Sequence, residues 1–563
     1  MKRYFSGLLI LSQILSAGAQ NLDWVRQMKG SSYDEGFAIA TDAFGNIYTT
    51  GYFEGYVDFD PGEGTYFLTS SGQNDMFVSK LDHSGNFVWA VKAGGADYDF
   101  GSAISIDTLG NVYVTGYFGG TADFDPGPAA YNLSSFGGWD VFVMKLDKNG
   151  DFVWSKQIGG MAIESGRDLV LDASEGIFLT GRFQEIVDFD PGPGIYNLTS
   201  DGDFDVFIVK LDFDGNFIWA KKVGGEGDDY VSSIARDNSG NLVLGGEFDG
   251  NCDFDPDTSS HNLTSAGDYD LFLLKLTGDG DFIWVNQLGA LDWDFCTALD
   301  VDIFNNIVFT GIFSDTVDFD PGVGIFQLAA VEEASDIFVS KVNADGNLLW
   351  AKQIAGTFID YCYSICSDVG NKVYVSGQFS GTTDFDPTDG TYTLTTIGGN
   401  DGFIACLDSS GNLDWVAQFG GTSFEYCYAV EVDISGSVVS TGKFGGATDF
   451  DPGAGTHFLT SVDGGDIFIH KMSPIVSSDF IPNTDNNITI FPNPTNSTAS
   501  IMSKAMLNNA RVRVLNTTGQ VVFEKANQQG ENITIDIGAL PLGIYYLEIL
   551  EGATHFGKKI IKN

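Results

Sequence analysis

Asn111-Val-Tyr-Val-Thr-Gly-Tyr-Phe118, Asp123-Phe-Asp-Pro126, Asp140-Val-Phe-Val-Met-Lys-Leu146 and Phe152-Val-Trp154 follow one another within 44 residues. The same order recurs along the chain. Asp-Phe-Asp-Pro begins at Asp58, Asp123, Asp188, Asp253, Asp318, Asp384 and Asp449, and a tryptophan follows each time or precedes the first copy: Trp24, Trp89, Trp154, Trp219, Trp284, Trp350, Trp415. Five of the six tryptophan intervals are 65 residues and one is 66. Seven copies of one unit make an array or a closed ring. Within a unit, short alternating runs are separated by turns such as Leu109-Gly-Asn111 and Asp147-Lys-Asn-Gly150. That is a four-stranded antiparallel meander. No stretch sustains a helical period. Four strands in each of seven units predict an all-β chain built on a seven-bladed β-propeller.

The two ends of the array argue for a ring. The array begins on a tryptophan strand, Leu22-Asp-Trp-Val-Arg26, and ends on Asp466-Ile-Phe-Ile-His-Lys471, the strand that precedes tryptophan in the other copies. The last blade thus lacks its outer strand and the first segment supplies one, leaving no open sheet edge. At 65 residues the unit exceeds the roughly 40–50 of common propeller repeats. The excess lies between the second and third strands and predicts an arm on each blade.

Three recurrent sets are candidates for chemistry. Phe53, Phe118, Phe183, Phe248, Phe313, Phe379 and Phe444 stand five residues before each Asp-Phe-Asp-Pro and read as packing. The second set is the aspartate pair with a later aspartate, in the first copy Asp58, Asp60 and Asp75. Clustered carboxylates suit a hard cation such as Ca²⁺, while Asp-Pro-Gly also makes a turn capped by its aspartate. Both readings stay open. The third set is an acid ten residues after each pacing tryptophan: Asp34, Asp99, Glu164, Asp229, Asp294, Asp360 and Glu425. Aromatics flank many of them, among them Tyr98, Tyr230 and Trp293. These acids are expected in loops that feed the inner strands. There they either accept amide hydrogen bonds from the next blade or form a carboxylate and aromatic ring for a cation or polar ligand, including a sugar.

The formal net charge is −48. Between the N-terminal segment and the last domain stand 19 basic and 71 acidic residues, a net of −52. Such a surface repels nucleic acid and anionic lipid, and it attracts cations and opposes self-association, so a monomer is expected. A 43% hydrophobic and 13% aromatic composition rules against disorder. Of six cysteines, Cys296, Cys362 and Cys427 occupy a repeat position that is Gly36, Gly101, Gly166 or Val231 elsewhere, which reads as a buried free thiol.

Residues 1–19 open Met-Lys-Arg, run apolar from Tyr4 to Leu15 and reach Ala17-Gly-Ala19. That is the pattern of a cleaved secretory signal, too short to span a bilayer. The propeller is then expected over 20–472, a linker over 473–487 and a last domain over 488–563. Short strand-like runs in the last domain suggest a small Ig-like sandwich. Its Phe491-Pro-Asn-Pro494, Asn516-Thr-Thr-Gly519, Leu540-Pro-Leu-Gly-Ile-Tyr-Tyr-Leu547 and Lys558-Lys-Ile-Ile-Lys562 resemble the C-terminal sorting domain of type IX secretion cargo. That resemblance implies engagement with the secretion machinery and a secreted or cell-surface destination. Stretches such as Gly110-Asn-Val-Tyr-Val-Thr-Gly116 and Asp140-Val-Phe-Val143 resemble the bacterial seven-bladed propeller repeat family, which implies the fold and no particular chemistry.

No Ser/His/Asp arrangement, phosphate loop or Cys/His metal spacing occurs, and no single copy shows a distinctive constellation. The sequence therefore points to a non-enzymatic scaffold for binding or adhesion, with a glycan or protein as extracellular ligand and Ca²⁺ as the candidate cofactor. A carbohydrate-active hydrolase or lyase, acting through paired carboxylates, and a structural surface-layer protein are the alternatives.

Overall fold

A computed structural model of the chain describes residues 20–172, 174, 176–331, 335–388, 390–473, 488–491, 497–515, 521–538, 540, 543–551 and 554–562. The signal segment 1–19 and the linker residues 474–487 lie outside the described residues. Among the described residues every regular element is a β-strand.

Blade 2 shows the unit. Strands Asp99–Ile106, Val112–Asp123, Asn132–Leu146 and Phe152–Gly160 pair antiparallel in that order. The arm is a continuation of the second and third strands, which run on past a bulge between Gly119 and Thr121. The residue at the bulge is left-handed in every blade: Gly55, Gly120, Gly250, Gly381 and Gly446, with Glu185 (φ 55°) and Asp315 (φ 57°) in the other two. The first strands lie side by side around the molecule, each against the next, and Glu425–Val432 of blade 7 returns to Glu35–Thr41 of blade 1.

The ring closes by the strand that the array ends predict. Asn21–Gly30 pairs antiparallel with Asp466–Ser473, from Met28 opposite Ile467 to Asn21 opposite Ser473, with one irregularity between Leu22 and Trp24. Its far end pairs with the arm of blade 1, Lys29 opposite Asp58. An ordinary outer strand does the same, as Gly94 opposite Asp123 shows. The closing strand thus makes the pairings of an outer strand on both sides.

Two aromatic devices explain the repeat clock. The phenylalanine inside each Asp-Phe-Asp-Pro turns under its blade and is buried, from Phe59 to Phe450. It meets the preceding recurrent phenylalanine edge-on and a third on the next strand. Phe53–Phe59–Phe77 is the first such trio, with centroids 5.5 and 5.0 Å apart, and the trio recurs in all seven blades. Such pairs add about 0.5–1.5 kcal/mol each beyond the area they bury. The pacing tryptophan joins blades. Trp89 Nε1 donates to Lys148 O of the next blade at 3.2 Å, and its ring lies under the left-handed Gly150 (φ 84°) of the same turn.

Much of the acidity is turn chemistry. Asp42, Asp107, Asp237 and Asp302 each accept two backbone amides and an asparagine side chain in the turn between the first two strands. All six cysteines are unpaired, five of them buried. In the last domain, strands Ile488–Phe491, Thr498–Leu515, Val521–Asp536, Gly543–Glu551 and Thr554–Lys562 form an antiparallel sheet system. Its own core includes Ile501, Val512, Ile535, Leu547 and Ile549. Residues 492–494, 516–519 and 541–542 of the sorting motifs lie outside the described residues.

Candidate functional site

The structure separates the proposed metal trio. Asp58 Oδ1 accepts the amides of Asp60 (3.2 Å) and Tyr66 (2.7 Å), and Asp60 Oδ1 accepts Gly62 N at 2.9 Å. The pair thereby builds the tip of the arm. Asp75 lies at the arm's base, opposite Phe53, buried, with Oδ2 accepting Ser71 N and the Lys92 ammonium. Asp75 therefore does not join Asp58 and Asp60. Among the described residues no group of three or more His, Cys, Asp or Glu side chains is placed to hold a metal ion.

Asp75 instead meets the third set. A methyl group added at Gly94 would fall 2.6 Å from Asp75 Oδ1 and 2.8 Å from Asp99 Oδ2, so this glycine is wedged between two carboxyls of consecutive blades. The same pairing recurs at all seven junctions: Asp466 with Asp34, Asp75 with Asp99, Asp140 with Glu164, Asp205 with Asp229, Asp270 with Asp294, Asp336 with Asp360, and Asp401 with Glu425. All fourteen side chains are at most 1% exposed. Burial, reinforced by the partner acid, pushes Asp34, Asp99, Glu164 and Asp229 up to about 8 and Asp294, Asp360 and Glu425 up to about 7. Two carboxyls in one buried site cannot both ionise cheaply, so the pair holds a proton at neutral pH.

One backbone amide at each junction chooses between the acids. At five junctions it serves the second acid: Gly95 to Asp99 Oδ2 and Gly160 to Glu164 Oε2 at 2.7 Å, and likewise from Gly225, Ala290 and Gly421. At the other two it serves the first: Gly30 to Asp466 Oδ1 at 3.0 Å and Gly356 to Asp336 Oδ1 at 3.3 Å. Those two are the junctions where Lys29 or Ala355 stands in place of Gly94, Gly159, Gly224, Gly289 or Gly420. A Cβ there occupies the space that the first acid fills elsewhere.

This corrects the expectation of an exposed carboxylate ring. The seven acids turn inward because they close the loops between blades, and their amide donors belong to the preceding blade or to their own second strand, as Glu54 N does for Asp34. The aromatics beside them stay outside. Tyr98 is 40% and Trp293 54% exposed, Tyr33 and Phe424 are similarly open, and Tyr230 is half-buried.

The channel wall carries residues that the repeat pattern hid. Each first strand has a bulge, and the residue in it is Phe37, Ser102, Arg167, Ser232, Thr297, Tyr363 or Tyr428. Bulges re-aim side chains. Here Phe37 and Tyr363 each reach Tyr428 with ring centroids 5.1 Å apart, so bulge residues of three consecutive blades converge. On the second strand, the residue between the recurrent Gly51-type and Phe53-type positions is Tyr52, Tyr117, Arg182, Glu247, Ile312, Gln378 or Lys443. It pairs with Glu35, Phe100, Ser165, Tyr230, Phe295, Tyr361 or Tyr426. These three positions vary while their neighbours recur, and that variability was the available signal. They break the sevenfold symmetry. Blades 3 and 4 hold Arg167, Arg182 and Glu247, a distinctive constellation that the sequence reading did not expect.

A cavity of about 410 Å³ lies between the arms of blades 3 and 4. Its Lys221 and Lys222 are neutralised by Asp257 and Asp201, and Asp205 also lies 3.1 Å from Lys222.

Comparison with known proteins agrees with the two parts. Residues 489–563 match the secretion system C-terminal sorting domain family, and residues 23–52 and 88–117 match the beta-propeller repeat family. A WD repeat-containing protein, L264, of Acanthamoeba polyphaga mimivirus is 24% identical over 509 residues, covering 75% of this chain and 36% of its own. The regulatory protein FlaEY of Caulobacter vibrioides is 23% identical over 207 residues, 35% of this chain and 21% of its own. The chain thus spans about a third or less of the length of these relatives. The crystal structure of Sqt1 from Chaetomium thermophilum aligns over 80% of this chain and 99% of its own, at 11% identity and a TM-score of 0.37. The chain therefore carries beta-propeller repeats in an all-β fold, and its residues 489–563 match the type IX secretion sorting domain family.

Proposed function

We propose that this exported propeller is a binding or adhesion scaffold whose ligand site is the mouth of its central channel, and that the ligand is an extracellular glycan. The observation that carries the reading is the contrast on the channel wall. Three positions in each blade vary between recurrent neighbours, and the loops above them expose Tyr33, Tyr98, Trp293 and Phe424. A core position varies in size within apolar types, whereas these positions range over Arg, Glu, Lys, Gln, Ser and Tyr. Flat, exposed rings offer stacking faces to sugar rings.

A hydrolase or lyase is the weaker reading. Glycoside hydrolysis needs two carboxyls that reach the substrate, and the seven close pairs here are sealed between blades. Ca²⁺ belongs to the proposal only through the arms, where Asp58 and Asp60 bring two carboxylates into one exposed turn. The test is a glycan array probed with the full secreted chain and with a Tyr98→Ala/Trp293→Ala variant. Loss of at least tenfold in binding by the variant, at unchanged melting temperature, is expected. Equal binding by both proteins would move the site away from the channel mouth.

A further inference from the structure

The strongest asymmetry in the molecule is cationic. Residues 20–472 contain four arginines against a net charge of −50. Two of the four, Arg167 and Arg182, stand together at the channel mouth. Arg182 pairs with Ser165 in the strand register, and Arg167 occupies the bulge two residues further on. Each lies in the other's field, and burial together with Arg167 holds the Arg182 guanidinium below its ordinary range.

Neither has an ion-pair partner within 4.0 Å among the described residues. Lys80, Lys145 and Lys156 have none either, whereas other basic side chains of the propeller do. Lys92, Lys221, Lys222, Arg236, Lys275, Lys341, Lys372, Lys443 and Lys471 all have one. Arg182 is nonetheless held in place. Its guanidinium lies 4.5 Å from the ring centre of Phe204 and 4.8 Å from that of Tyr230, and its Nε donates to Ser165 Oγ at 3.3 Å. Arg167 is exposed to the channel. Glu247, at the equivalent second-strand position of the next blade, feels both guanidiniums and has a buried Oε2 with no partner.

Two like charges kept together and unpaired, one of them pre-oriented by aromatic rings, form a receptor for an anion. A guanidinium matches a carboxylate or sulfate through two parallel hydrogen bonds. The surroundings limit what carries that anion. The acidic field of the propeller repels polyanions, so a nucleic acid or a strongly acidic protein is disfavoured before it reaches the mouth. The rings nearby, Phe100, Tyr117 and Tyr269 with Tyr98 above, suit a ligand that is mostly uncharged with flat apolar faces. We infer that Arg167 and Arg182 bind the acidic group of a sparsely charged saccharide, a uronate or sulfate ester, and that Glu247 contacts a neighbouring hydroxyl. This inference rests on the glycan-binding reading above and names its ligand class.

The experiment measures affinity of the full secreted chain for three groups of oligosaccharides of equal length: neutral, uronate-containing with the same sugars methyl-esterified, and sulfated. Arg167→Gln, Arg182→Gln and the double variant are measured alongside, with melting curves to confirm folding. An acidic sugar is expected to bind at least tenfold more tightly than its ester. Either substitution should remove most of that difference and leave binding of the ester unchanged. Equal affinity for acid and ester would overturn this inference and leave glycan binding standing. An acid preference that survives the double variant would overturn the assignment to these arginines. Arginine-dependent binding of a glutamate-containing peptide, with no saccharide bound, would overturn the saccharide assignment. Failure of every saccharide with the folded protein would overturn the binding reading itself.

Discussion

Asp75 of blade 1 and Asp99 of blade 2 close on Gly94 from opposite sides, both buried and each leaving an oxygen, Asp75 Oδ1 and Asp99 Oδ1, without a hydrogen-bond partner. Seven such pairs make stability depend on pH in a set direction. The folded state raises the second acid of each pair to about 7 or 8, whereas the unfolded chain titrates near 4. Between those values the folded protein binds more protons, so stability is greatest at the lower end and falls as pH rises through 7–8. The melting temperature should therefore drop by several degrees from pH 6.5 to 8.5. Asp99→Asn, which mimics the protonated acid, should flatten part of that slope. A melting temperature that rises over this interval would refute the account in which burial raises these acids.

Below pH 6.5 one residue acts against that trend. His470 is buried, and burial depresses it to about 3. The unfolded chain takes up that proton near 6.5, so this histidine removes stability as pH falls below that point. His470→Asn should shift the optimum toward lower pH, as melting curves between pH 4.5 and 6.5 would show. An unchanged acidic limb would assign the loss elsewhere.

The arms provide a test of cation uptake. Asp58→Asn keeps the Oδ1 that caps Asp60 and Tyr66, so it should cost little, whereas Asp58→Ala should cost about 0.5–2 kcal/mol, as lost caps do elsewhere. If Asp58 and Asp60 hold Ca²⁺, millimolar CaCl₂ raises the melting temperature beyond NaCl of equal ionic strength, and Asp58→Asn reduces that increment. Identical curves in the two salts would leave the pair with its turn alone, since screening acts alike for both.

Gly150→Ala combines two penalties. Its φ of 84° is costly for alanine, about 1–2 kcal/mol, and the new methyl would stand 3.0 Å from the Trp89 ring. Denaturant titration should show a loss above about 1 kcal/mol, and relief when Trp89 is also made smaller. An additive double variant would deny the contact between the blades.

Closure can be probed without truncation. Met28, on the strand that completes blade 7, is fully buried. Met28→Ala should cost about 2–5 kcal/mol, as in other cores. A change below 0.5 kcal/mol, the range of exposed sites, would mean that this strand contributes little to the ring.

The fold was legible because one packing solution is repeated. Trp89 under Gly150, and Phe59 between Phe53 and Phe77, admit few substitutes, so they print a period on the chain. The site was less legible for the same reason. Recurrence drew attention to Asp34 and Asp99, whose sevenfold presence marks a junction, and away from Arg167, which occurs once at a position that reads Phe, Ser, Thr or Tyr elsewhere. Whether Asp75 joins Asp58 or Asp99 depended on the arm continuing the strands past a bulge, which alternation alone does not reveal. The turn roles of Asp58 and Asp60, by contrast, were readable from Asp-Pro-Gly.

The closing strand also sets a clock on synthesis. Val25 stands opposite His470 in the closing strand pair, 445 residues later. At about 5–20 residues per second, the first strand waits roughly 20–90 seconds for its partner to be made. Throughout that time Asn21–Met28 is an edge without its partner strand, and its Arg26 and Gln27 are the kind of residues that keep such an edge from joining the wrong neighbour. The sorting domain is translated after that partner, so the chain acquires its sorting signal only once every strand of the ring has been made.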